Sequence, residues 1–194
     1  MRVGSFILNH KEFADYTENF FGELKRRHVS RLILDLRGNW GGPPKSSVLL
    51  FSYLIDRPVP YLDRNAPIYF AGLKRTIRLR ADRFDGTLIV LTDGAVFSTT
   101  GHLVSRLRHH NRGIPIGEVT GGGASCADAT HHMELSNTGL RLNYATRIFS
   151  TPAPVDPKGK GLSPDIMISP TIEDILDGRD PVMTEAAEIR SVQE

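Results

Sequence analysis

The sequence predicts an α/β fold built around a mostly parallel central sheet. Short apolar runs at 32–36, 88–92 and 114–118 are close to continuous rather than alternating, as expected of strands covered on both faces. Segments with apolar residues at helical spacing separate them, so right-handed crossovers would join parallel strands. Each run also opens into small residues: RGNWGG after the first, DGAVFSTTG after the second, and EVTGGG at the end of the third. Strand ends of that kind, side by side, form a crevice at the carboxyl edge of a sheet, where α/β proteins place ligands.

Taken in order, residues 3–8 read as a strand and 11–28 as a helix, with Phe13, Tyr16, Phe20, Phe21 and Leu24 on one face. Residues 31–36 are the first strong strand. Pro43 and Pro44 suit a first helical turn, and 47–54 reads as helical. Within 61–83, residues 68–70 and 76–80 read as a hairpin or an excursion of paired strands. A strand at 88–92 leads to a helix at 99–110, with Leu103, Val104 and Leu107 inward, and then to a strand at 113–118. Residues 131–135 and 140–144, separated by Ser-Asn-Thr-Gly, make an added β-hairpin. A Pro/Gly/Lys loop at 151–161, a closing strand at 166–168, a helical turn or two at 171–176 and a helix at 181–189 complete the chain. Residues 1–180 are assigned to one core and 181–194 to a C-terminal helical tail.

A chain of 194 residues suits one domain with a real core. Lys+Arg 24 against Asp+Glu 22 leaves +2, too balanced to predict a nucleic-acid partner. The cationic stretches 74–83 and 106–112 read as solvated faces. Cys126 is the only cysteine, which excludes an intramolecular disulfide and a cysteine-built zinc site; a small structural residue is its simplest reading. No His/Asp/Glu spacing matches a metal cage, so neither metal nor cofactor is expected. No window approaches the ~20 apolar residues of a membrane span, and the first ten residues lack a signal-peptide layout. The immediate start on an apolar segment reads as a piece cut from a longer protein.

Ser98 is the candidate nucleophile. Its position before a helix also suits an ordinary N-cap, although Gly101 stands where a capping box would place Glu or Gln. The two readings are compatible, because a helix start brings the serine oxygen near the positive end of the dipole. Acyl transfer needs donors aimed at the oxygen that becomes negative. The amide of Thr99 and that of Gly41 or Gly42 are the candidates, glycine leaving room for a substrate carbonyl to approach. Tight turns are the alternative reading of these glycines. His102, four residues after Ser98, could lean toward the serine oxygen, but packing beside the helix is the preferred account. Only one of His131 and His132 can face the crevice. His109 and His110 read as surface residues at a helix C-terminus, and Asp35 with Arg37 as an ion pair fixing a turn.

The motifs LILDLRGNWGG, VLTDGAVFSTTGHLVSRL, PIGEVTGGG and GLSPDI together resemble the C-terminal processing, or tail-specific, serine peptidase family. That family includes the tricorn core protease and the retinoid-binding repeats of the photoreceptor matrix. The resemblance covers roughly residues 3–180. It implies a Clp-protease/crotonase-like core, cleavage near protein C-termini or in unfolded segments, a protein or peptide as partner, and a location outside the cytoplasm. On it, Ser98 falls on the nucleophile and the amides of Gly41, Gly42 and Thr99 on the oxyanion donors.

The chain also departs from the pattern. Members with a Ser-Lys dyad carry a lysine in the loop matching 121–123, where only glycines stand, and their glutamate three residues after the nucleophile is Gly101 here. The resemblance is therefore closer to the histidine branch, typified by the tricorn core, whose base is expected upstream of Met1. Asp156 is a displaced candidate for that branch's acidic orienting group. A homo-oligomer is compatible with the sequence. Two other readings stand beside the peptidase: a non-catalytic module of the same fold holding a peptide or apolar ligand, and a crotonase-like acyl-CoA enzyme, against which DLRGN and PDI argue.

Overall fold

Side chains along β2 (Thr87–Thr92) alternate between two cores: Leu88 and Val90 enter one, Ile89 and Leu91 the other. This two-sided burial is what a continuous apolar strand requires. The computed structural model describes residues 1–66, 68–127, 131–154 and 160–189. In it, β2 lies between β1 (Arg31–Asp35) and β3 (Ile114–Gly117), and β3 pairs with β8 (Ile166–Met167); all pairings are parallel. Leu32 aligns with Leu88 and Ile89 with Ile114. The mostly parallel α/β sheet expected from the sequence is therefore the observed one.

The larger core lies under α1 (His10–Arg26), α2 (Pro44–Ser52) and α3 (Thr99–His109). α1 buries Phe13 and Phe21, and Phe21 stacks on Tyr53 with ring centroids 4.6 Å apart. α2 opens with Pro44 in its first turn, where a missing N–H costs nothing. The opposite sheet face is covered by α5 (Pro181–Glu188), whose Val182 and Ala186 pack on Ile89, Leu91 and Ile116. Residues set apart as a tail thus close the second core. Arg37 joins that helix to the exit of β1 with paired hydrogen bonds to Asp180, both 2.8 Å, and further bonds to Asp35. The expected Asp35–Arg37 pair is present and extends to a third residue.

Other expectations are corrected. Residues 3–8 are not a strand: Arg2 makes an isolated bridge to Asp35, and the chain then leaves β1, with the Phe6 amide bonding the Gly41 carbonyl. Residues 68–74 form a 3-10 helix, and 76–80 make no ladder beyond an isolated Pro60–Thr76 bridge. Two short antiparallel strands were missed, β4 (Ser125–Ala127) and β7 (Ile148–Ser150). The predicted hairpin is β5 (His131–Glu134) with β6 (Arg141–Tyr144), turning at Gly139 with φ +67°. A short α4 (Ile172–Leu176) carries a full capping box between Thr171 and Asp174. The stretch 106–112 is not simply solvated. Arg106 is buried and donates to the Pro60 carbonyl, while Arg112 donates to the Leu54 and Phe84 carbonyls, a use that suits the many donors of guanidinium.

Candidate active site

Ser98 sits between the end of β2 and the start of α3 with φ +50° and ψ −124°, a backbone conformation that side chains strongly disfavour. Its side chain does not cap the helix. The capping explanation for a serine here therefore fails, and the strain points instead to a constrained functional position. Only part of the residue is covered.

The three glycine segments converge on this residue. A β-carbon on Gly41 would sit 2.9 Å from Ser98 Cβ, and one on Gly122 would sit 2.9 Å from the Ser98 nitrogen. One on Gly101 would meet Gly122 carbon at 2.6 Å, so α3 approaches the glycine loop backbone to backbone. That contact explains why glycine stands three residues after the serine. Thr120 fastens the same loop: its hydroxyl donates to the Gly122 carbonyl and accepts from the Leu162 amide.

The candidate oxyanion donors separate into two kinds. The Gly41 amide is already used, donating to Asn39 Oδ1 at 2.9 Å. The amides of Gly42 and Thr99 have no hydrogen-bond partner among the described residues. The Thr99 hydroxyl donates to the Gly42 carbonyl at 2.6 Å and so ties these two residues together across the crevice. Unpaired amides beside a hydroxyl, at a helix start, suit an oxygen that acquires negative charge.

Asn39 was not singled out from the sequence, yet it organises the site. Fully buried, it donates to the Val3 carbonyl and accepts from the Gly41 amide and the Thr100 hydroxyl. It thereby fixes the glycine turn to the first turn of α3. An amide side chain inside a glycine-rich turn was the available signal, since buried amides must find several partners.

The acceptor for the Ser98 hydroxyl is Cys126 Sγ, 3.8 Å away. Burial pushes the Cys126 thiol up, so the sulfur stays protonated at neutral pH and cannot take the serine proton. His102 is buried and hydrogen-bonded to the Phe149 backbone, and its Nε2 has no partner. Burial pulls its pKa down to about 4. Its backbone amide bonds the Ser98 carbonyl, but among the described residues no side-chain hydrogen bond joins it to Ser98, in keeping with the packed-histidine account. The residues of β5 and β6 are all exposed, so His131 and His132 lie on an open hairpin. His110, expected at the surface, is buried 2.8 Å from Arg106. Asp156 lies outside the described residues. Among the described residues no cluster of His, Cys, Asp and Glu could hold a metal ion, and no helix is long and apolar enough to cross a membrane.

The family model for peptidase family S41 matches residues 1–168. The chain belongs to that family. It is 28% identical over 175 residues to the chloroplastic C-terminal processing peptidase of Tetradesmus obliquus, covering 89% of this chain and 35% of that protein. Among solved structures, the photosystem II D1 C-terminal processing protease superposes with a TM-score of 0.62 at 26% identity, over 88% of this chain and 42% of the other. The tricorn protease shares the fold, with a TM-score of 0.52 at 22% identity over 81% of this chain and 14% of that one. This S41 chain thus spans about a third of the length of its curated relative.

Proposed function

We propose that this S41 chain is the core of a serine endopeptidase in which the Ser98 hydroxyl attacks a peptide carbonyl and the amides of Gly42 and Thr99 hold the resulting oxyanion. The observation that carries this reading is the strained Ser98 backbone, beside two amides that have no partner among the described residues and whose residues the Thr99–Gly42 hydrogen bond holds together. The sequence reading is narrowed by one residue, since the Gly41 amide is committed to Asn39 and Gly41 serves as a backing surface. The proton acceptor is a group other than His102 and Cys126. The substrate is a polypeptide, cut near its C-terminus or in an unfolded segment, and the resemblance to processing peptidases supports a site of action outside the cytoplasm.

A fluorophosphonate probe on the intact protein tests this directly. Labelling at Ser98 that disappears in Ser98→Ala is expected, together with peptide hydrolysis that follows the same pattern. Absence of labelling in protein shown to be folded favours the second reading, a binding module of the same fold. That reading draws on the Ser98 hydroxyl having Cys126 as its acceptor rather than a base.

A further inference from the structure

Between α2 and residues 73–80 lies a cleft of about 540 Å³. Lys45, Val48, Leu49 and Ser52 line it from α2, and their spacing puts them on one stripe of the helix. Opposite stand Leu73, Ile77 and Leu79, partly buried against the main core, with Arg78 and Arg80 exposed between and beside them. Among the described residues the lining carries no carboxylate. None of the described ion pairs uses Lys45, Arg78 or Arg80; the next acids along the chain, Asp82 and Asp85, are paired with Lys25 and Arg83. Arg80 lies over the Tyr53 ring at 5.4 Å, which orients the guanidinium without neutralising it.

One end of the cleft lies close along the chain to the glycine turn. Lys45 comes three residues after Gly42, and the lining residue His10 comes three residues after Ile7, whose amide nitrogen abuts Gly42.

We propose that this cleft is an exosite for an extended stretch of the protein substrate in which acidic and apolar side chains alternate. In an extended chain successive side chains face opposite ways. One set would rest on Val48, Leu49, Ile77 and Leu79 while the carboxylates meet Lys45, Arg78 and Arg80. The nine residues of α2 give a channel of roughly 13 Å, room for about four extended residues. The proposal deepens the peptidase reading by naming a substrate class, and rests on it only for the fate of the bound segment.

The test uses the full chain carrying Ser98→Ala, so that binding is read without cleavage. The probe is a dye-labelled octapeptide alternating leucine and glutamate, followed by fluorescence anisotropy. Saturable binding is expected that weakens about tenfold or more in the Arg78→Glu/Arg80→Glu variant and in high salt. Lys45→Glu gives a second, independent loss, and unchanged melting temperatures show that both variants fold. The same peptide with lysine in place of glutamate is expected not to bind. Equal affinity for the charge-reversed variants, or equal binding of the lysine peptide, overturns the exosite. Displacement of the peptide by phosphatidylserine vesicles that bind more tightly overturns it too. Failed fluorophosphonate labelling with intact peptide binding sinks the peptidase reading alone.

Discussion

Gly41 and Ser98 stand back to back, so close that a β-carbon on the glycine would lie 2.9 Å from that of the serine. Gly41 also has φ +101°. Gly41→Ala therefore meets both backbone strain and a collision with Ser98. We expect it to abolish fluorophosphonate labelling and to cost about 2 kcal/mol or more of stability. Gly38→Ala is the control: its φ is +75°, but nothing lies within 4 Å of the added carbon. It should lower stability while leaving labelling in place. Equal labelling of the two variants would contradict the packing role given to Gly41.

The strain at Ser98 has a measurable consequence of its own. Ser98→Ala removes the hydroxyl but keeps the unfavourable φ of +50°, whereas Ser98→Gly relieves it. Strain of this kind costs of order 1–3 kcal/mol, and glycine's extra freedom in the unfolded chain gives back part of the gain. Chemical denaturation should find Ser98→Gly more stable than Ser98→Ala by about 1 kcal/mol, with both inactive. A glycine variant no more stable than the alanine variant argues against a strained serine.

The glycine loop is uneven in what it tolerates. A β-carbon on Gly121 would lie 2.4 Å from the Gly94 carbonyl oxygen and one on Gly122 2.9 Å from the Ser98 nitrogen, while Gly123 meets only Leu162 and Lys160 at 3.9 Å. A lysine, the residue that dyad members of the family carry in this loop, fits at 123 and nowhere else in the triplet. Gly123→Lys should melt close to the parent; Gly122→Lys should lose several degrees or fail to fold. The reverse order would show that the loop packs differently against α3.

His102 sets a pH dependence of stability. Its folded pKa is about 4, below the ordinary value of 6.5, because burial opposes the charge. Below pH 6.5 the unfolded chain takes up a proton that the folded chain refuses, so stability is full above 6.5 and is lost as pH falls toward 4. Between pH 7.5 and 4.5 this amounts to about 2.5 kcal/mol. Urea denaturation at those two pH values should show that much less loss in His102→Gln than in the parent. Equal losses would mean that this histidine is protonated in the folded state.

Much of this was legible because the signal was local. Leu32 to Leu36 and Leu88 to Thr92 announce buried strands by composition, and the glycines that follow announce their turns. The alternation at 76–80 was read as a strand and is real in its burial, with Ile77 and Leu79 inward. Yet the Arg80 amide bonds the Ser52 carbonyl at the end of α2, so the period reflects packing on a helix rather than a ladder. β4 and β7, three residues each, are too short to leave any period.

The sequence by itself determined the four strands of the central sheet, the order of the helices, and the serine and glycines that meet at their ends, because periodicity and backbone freedom are properties of neighbouring residues. Only the tertiary structure decided which amides remain unpaired. Gly41 loses its N–H to Asn39 and Gly42 keeps its own, and Cys126, not a base, stands beside Ser98. Hydrogen-bond partners are allotted by contacts between segments far apart in the chain, and no local pattern records that competition.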